Sequence, residues 1–117
     1  MKQELTVLHA EIQQQDMFKD IIVQFNKDLA LSNVGFEFQE VVNFEDFWTS
    51  LVALVRELLN KHYEKYLHFI YRIDLHERDL LVVDISPFSE VEEFVAYQIV
   101  SRVYKKVYSR KNFSGNS

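Results

Sequence analysis

Apolar side chains recur at three- and four-residue steps along most of this chain, and the steps fall into separate stripes. Leu5, Leu8 and Ile12 form the first stripe, and Phe18, Ile21, Ile22, Phe25 and Leu29 the second. The interval from Leu5 to Phe18, at ~100° per residue, sets the two stripes ~140° apart, so they belong to different elements. Gln13-Gln14-Gln15-Asp16 interrupts the pattern, and Asp16 is suited to N-cap the second stripe. The spacing predicts a short helix or strand first, then a firm helix from about Met17 to Leu31. Ser32-Asn33-Val34-Gly35 ends that helix, with Asn33 or Gly35 able to take the left-handed capping conformation.

Phe36 to Val41 alternates apolar and polar for a few residues, which allows a short extended segment. Leu80 to Ile85 is its only candidate partner, so the expectation includes at most one short two-stranded pairing. Asn43 then opens the strongest helical pattern, with Glu45 and Asp46 at the positive end of the helix dipole. Phe44, Phe47, Trp48, Leu51, Val55, Leu58 and Leu59 continue it, followed by Tyr63, Tyr66, Leu67, Ile70 and Ile73. Such a run far exceeds the usual helix of ~11–12 residues, so a break near Asn60-Lys61 is expected. In the second part Tyr63, Tyr66, Leu67, Ile70 and Ile73 share a face, with Phe69 and Tyr71 off it. His76 to Asp79 reads as a turn, and Arg72 and Asp74 are expected to meet where the chain turns after Ile73. Ser86-Pro87 reads as a helix opening, proline at the first helical position. The last helix then runs from about Pro87 to Lys111.

Only two glycines and one proline punctuate the chain, too few for a many-stranded fold. The expectation is a mainly α protein: a single domain of four to five helices over residues 1–113, with a flexible polar tail at 114–117. Its core is drawn from Phe18, Ile22, Phe25, Phe47, Leu51, Val55, Leu58, Leu67, Ile70, Val95 and Val103. Aromatic residues make up 15% of the chain, a surplus that fills a core or caps it with a contact surface.

Charge adds a polarity that the apolar pattern does not contain. Residues 1–100 hold eight Lys or Arg against eighteen Asp or Glu, whereas the remainder holds Arg102, Lys105, Lys106, Arg110 and Lys111 with no acid. The net charge is −5. Acids at the start and bases at the end of the last helix favour its dipole. That placement leaves unexplained why no acid comes after Glu93. Val100, Val103, Tyr104, Val107 and Tyr108 form an apolar stripe with the bases mostly at its sides. The candidate contact surface is therefore Arg102, Lys105, Lys106, Arg110 and Lys111 with Tyr104 and Tyr108. A protein partner or self-association is the first reading. A nucleic acid is the alternative, with phosphates neutralised and tyrosines stacked; the negative net charge counts against it. Exposed ion pairs contribute little, so replacing Lys105, Lys106, Arg110 and Lys111 by Gln is expected to leave the melting temperature nearly unchanged.

Chemistry is sparsely supplied. No cysteine is present, which excludes disulfides, thiolate metal sites and cysteine nucleophiles. Gly35 and Gly115 alone cannot build a phosphate-binding glycine loop. Among His9, His62, His68 and His76 no pair has i,i+4 spacing, and Glu64, His68 and His76 are the nearest approach to a metal set. The expectation is no catalysis, no metal and no cofactor. No apolar stretch approaches the ~18 residues of a membrane span, and no secretory segment is evident after Met1. A cytoplasmic protein is expected.

The run Ile70-Tyr71-Arg72-Ile73-Asp74, the short segment after it and a terminal helix ending in Arg110-Lys111 together resemble small uncharacterised bacterial helical proteins. The resemblance spans roughly residues 44–113 and implies no activity.

Overall fold

A computed structural model describes residues 3–39, 43–80, 88 and 90–114. Among these lie five α-helices and one 3-10 turn, with no strand: α1 (Gln3–Gln14), α2 (Phe18–Leu31), α3 (Phe44–Lys61), α4 (Tyr63–Arg72), the 3-10 turn Glu77–Leu80, and α5 (Val91–Ser114). The first stripe is thus a helix, burying Leu5, Leu8 and Ile12. The opening expected at Ser86-Pro87, most of the strand candidate Leu80 to Ile85, and residues 115–117 lie outside the described residues. The Glu90 carbonyl accepts the first bond of α5, from the Phe94 N–H at 3.2 Å, and the helix runs past Lys111 to Ser114.

Three of the turns share one solution. Asp16, Asn33 and Asp74 have φ of 53°, 60° and 63°. In each case the next N–H reaches back to close the helix: Met17 to the Ile12 carbonyl at 3.1 Å, Val34 to Leu29 at 3.0 Å, Leu75 to Ile70 at 3.0 Å. The left-handed residue itself donates the inner bond, Asp16 to Gln13, Asn33 to Ala30 and Asp74 to Tyr71. These are Schellman closures, with the residue after the turn and its carbonyl partner both apolar and buried. Asn and Asp tolerate the left-handed region best after glycine, which suits a chain with so little glycine. Asp16 therefore ends α1. It does not N-cap α2: its φ excludes the extended conformation a cap needs, and Met17 occupies the cap position without a side-chain bond. Asn33 rather than Gly35 takes the left-handed turn.

Asn43 caps α3, its Oδ1 accepting from the Asp46 N–H at 2.8 Å while its Nδ2 donates to Asp46 Oδ2 at 2.9 Å. The break in the long pattern falls at His62, where φ −139° and ψ 56° leave the helical region. Because the chain restarts there, α4 does not inherit the phase of α3. It buries Tyr66, Phe69 and Ile70, and Phe69, expected off the face, meets Phe25 at 6.1 Å between ring centroids. Tyr63 instead stands half exposed, and Tyr71 is 87% exposed.

No two-stranded pairing occurs among the described residues. Of the expected extended segment Phe36 to Val41, residues 40 and 41 lie outside the described residues, and Phe38 pairs with a side chain. Asn26 on α2 donates to the Phe38 carbonyl at 2.8 Å and accepts from the Phe38 N–H at 2.7 Å, so one amide stands in for a neighbouring peptide. This holds the Phe38 ring in the core, 4.8 Å from Phe47 and 5.9 Å from Phe25. Phe47 also meets Phe18, Phe25 and Phe44, so four rings surround it. Of the expected core residues, Phe18 and Leu67 are only partly buried and pack against the rest.

α5 is the organising element. It packs against α1, α2 and α3, while α4 packs against α2 and α3. Its 24 residues measure about 36 Å, against a longest molecular dimension of 41 Å. The Cα radius of gyration, 13.8 Å, is close to the ~13 Å of a compact chain of roughly 100 residues. No helix among the described residues is long and apolar enough to cross a membrane.

The ring cluster and the left-handed turns can each be probed by substitution. Phe47→Ala should destabilise by about 3–5 kcal/mol, read from the urea midpoint. Asn33→Val should lose about 1–2 kcal/mol through left-handed strain, whereas Asn33→Gly should be neutral or stabilising in the same assay.

Candidate functional site

The bases of α5 do not form one surface. Helical spacing and the neighbours of α5 divide them between two sides. Lys105 lies with Tyr104 and Tyr108 beside α1, in an open groove of about 500 Å³ that Val7, Glu11 and Tyr97 also line. Arg102, Lys106 and Arg110, one turn apart, face α4 and α2 instead.

Arg102 is a brace. Its Nη2 donates to Asp74 Oδ2 at 3.0 Å and its Nε to the Asp74 carbonyl at 3.1 Å. The fork thus grips both the side chain and the backbone of the left-handed residue that closes α4. The expected meeting of Arg72 with Asp74 is corrected accordingly: Asp74 pairs with α5, and Arg72 turns toward α2. Lys111 lies 3.8 Å from Asp20, both half exposed, a pairing of the kind that contributes about 0–1 kcal/mol.

Lys106 and Arg110 enter a different environment. At the junction of α2, α4 and α5 sits Asp28, a carboxylate only 2% exposed. Its Oδ2 accepts from Gln24 Nε2 at 3.0 Å. Lys106 Nζ stands 3.8 Å from Oδ2, and Arg72 Nε 4.0 Å from Oδ1. Gln24 uses its oxygen to accept from Arg110 Nη1 at 2.9 Å. Lys27 completes the lining of a hollow of about 240 Å³ shared by Asp28, Arg72, Lys106 and Arg110. Four cationic residues from three helices therefore line a hollow with one carboxylate, and two of them lie within 4.0 Å of it. Of the four bases whose replacement is expected to leave the melting temperature nearly unchanged, Lys106 is the one that neighbours a buried carboxylate, so Lys106→Gln alone should lower it most.

Gln24 and Arg110 belong to a second hollow as well, of about 460 Å³, lined further by Asp20, Val23, Val107 and Lys111. The two hollows thus adjoin along the α2–α5 seam. Val23 is 51% exposed there and Tyr71 stands out at the rim of the first hollow. The seam offers cations at one end and apolar carbon beside them.

The contact surface expected from the sequence does not include Lys27, Arg72, Gln24 or Asp28. Asp28 does carry a signal in the spacing. It lies seven residues after Ile21, ~20° short of two full turns, so a carboxylate falls on the buried stripe of α2. An acid at a core position needs partners, and bases must converge on it.

On the α1 side lie two phenols, Tyr104 buried and Tyr97 partly buried. Burial first, then the charge of Glu11 and a hydrogen bond with its carboxylate, raise Tyr104 above the ordinary tyrosine value. Burial, with Glu4 and Glu11 after it, raises Tyr97. Among the described residues, no three His, Asp or Glu side chains come together in a metal-holding group.

A raised phenol pKa means that the folded state favours the protonated form. Its contribution is complete below the unfolded value of about 10 and is lost as pH rises through the folded value. Stability measured by urea unfolding should therefore fall as pH rises from about 9 to 11, and Tyr104→Phe should lessen that fall. No family model, curated protein or solved structure matches this chain, so function is read from the site's own geometry.

Proposed function

We propose that the protein is a non-enzymatic interaction module that takes an acidic segment of a protein partner along the α2–α5 seam. One observation carries this reading: Lys27, Arg72, Lys106 and Arg110 converge on a hollow whose only carboxylate, among the described residues, is Asp28. One buried carboxylate calls for one counter-charge. The surplus creates a positive field at a concave site, which attracts and orients an anionic group. The adjoining hollow, with Val23 and Val107, supplies apolar contact beside it. A peptide offers both kinds of side chain within a few residues, which favours it over a uniform phosphate backbone. Four cations are clustered at this hollow while the net charge of the chain is −5, so a long polyanion would be repelled beyond the cluster.

The test is fluorescence anisotropy of a labelled peptide of alternating Glu and Leu at low salt. Binding should weaken as salt rises and should fall strongly in Lys27→Gln/Arg110→Gln, with the melting temperature checked in parallel. A DNA duplex of equal net charge serves as the competing ligand. If it binds and the peptide does not, with affinity falling by about 0.9 log units per contacted phosphate per log unit of salt, the nucleic-acid alternative replaces this reading.

A further inference from the structure

We infer that the anionic group seated in the hollow of Lys27, Arg72, Lys106 and Arg110 is a phosphoryl group, borne by a phosphorylated segment of the protein partner. The inference rests on the acidic-segment reading above and specifies which anion the site is shaped for.

The number of the cations, and the three helices that supply them, carry it. A carboxylate is planar, has two oxygens and is satisfied by a single guanidinium fork. Four cations brought together from α2, α4 and α5 exceed that need, and the single carboxylate of Asp28 offsets only part of their mutual repulsion. A phosphoryl group has about −1.5 to −2 charge and three terminal oxygens that accept from several directions. The cations outnumber the one carboxylate by three, enough to balance that charge, and they come from three helices, so more than one oxygen can be approached. Two of the donors are lysine, a compact point charge, and two are arginine, a planar fork, a mixture suited to phosphate.

Asp28 is itself an anion at this site, yet its geometry leaves the cations available. Lys106 and Arg72 approach it at 3.8 and 4.0 Å, beyond the ~3.2 Å reach of a hydrogen bond. Their N–H groups are gathered by its charge without being consumed by it. Oδ2 is occupied by the Gln24 amide, and the other end of that amide holds Arg110. The Gln24–Asp28 pair thus acts as a floor that positions three of the four cations. The rim is wet and open: Arg72 is about half exposed, at 48% of its side chain, and Lys106 is 27% exposed.

The experiment compares three labelled versions of one peptide, Glu-rich with a central serine: unphosphorylated, phosphoserine, and the serine replaced by glutamate. Anisotropy titrations at physiological salt should give the phosphoserine peptide an affinity about tenfold or more above both others. Lys27→Gln and Arg110→Gln should each remove most of that preference. Lys105→Gln, the same charge change on the α1 side of α5, should leave it intact. Thermal melts confirm that each variant is folded. If all three peptides bind equally, the phosphoryl inference is wrong and the acidic-segment reading stands. If none binds, both are wrong. If Lys105→Gln weakens binding as much as Arg110→Gln, the attraction is diffuse and the hollow is not the site.

Discussion

The whole arrangement depends on burying α5 along more than one of its sides. Phe94, Val95, Ala96, Ile99, Val100, Val103, Tyr104 and Val107 are all buried, and at ~100° per residue they cover far more than a single narrow stripe. Such a helix cannot lie on the surface of a bundle. It must run through the middle, with α1, α2 and α3 laid against it. Its charged residues then lie at the edges of the buried face, beside the seams with its neighbours. The seam toward α1 takes Lys105, and the seam toward α2 and α4 takes Lys106 and Arg110. The split of the basic tract into two sides is a consequence of hydrophobic burial rather than of charge.

That constraint also explains why the polar network sits where it does. A seam between helices is where a long side chain can keep its carbon stem against apolar neighbours and its charge near water. Asp28 occupies the inner wall of such a seam and is compensated by three polar partners, Gln24 from its own helix, Lys106 from α5 and Arg72 from α4. The network is coupled to the fold through Arg102 as well, whose grip on Asp74 fixes the end of α4 from which Arg72 projects. Fold and candidate site are thus held by side chains of the same helix, spaced one turn apart.

The features legible in the sequence divide from the rest along physical lines. Much local chemistry was legible: the Asn43 cap, a left-handed closure at Asn33 or Gly35 and the helical character of the long stripes depend on residues a few positions apart, whereas Asp16, read as a cap of α2, closes α1 instead. The break near Asn60 was legible only from the excessive length of the run, and it falls at His62. The face of α4 was legible in Tyr66, Ile70 and Ile73, all buried as expected, but Phe69 joins it and Tyr63 leaves it, because the non-helical His62 resets the rotation of the helix. Long-range pairings were illegible. Asp74 with Arg102 and Gln24 with Arg110 join residues far apart in sequence, and tertiary packing alone selects them. The alternation at Phe36 and Phe38 gave no hint that the Phe38 peptide would be held by one asparagine side chain.

The three left-handed turns bear on a state of the chain that no contact in the fold describes. Glycine would relieve the strain at Asp16, Asn33 and Asp74, yet it would also loosen the denatured chain, since glycine has the most backbone freedom to lose on folding. Residues with a Cβ narrow the denatured ensemble at those points. Placing Asp and Asn there exchanges a little native strain for a less disordered starting state. Because all three sites close a helix, the same positions limit how far each helix can extend past its native end while the rest of the chain is still searching for α5.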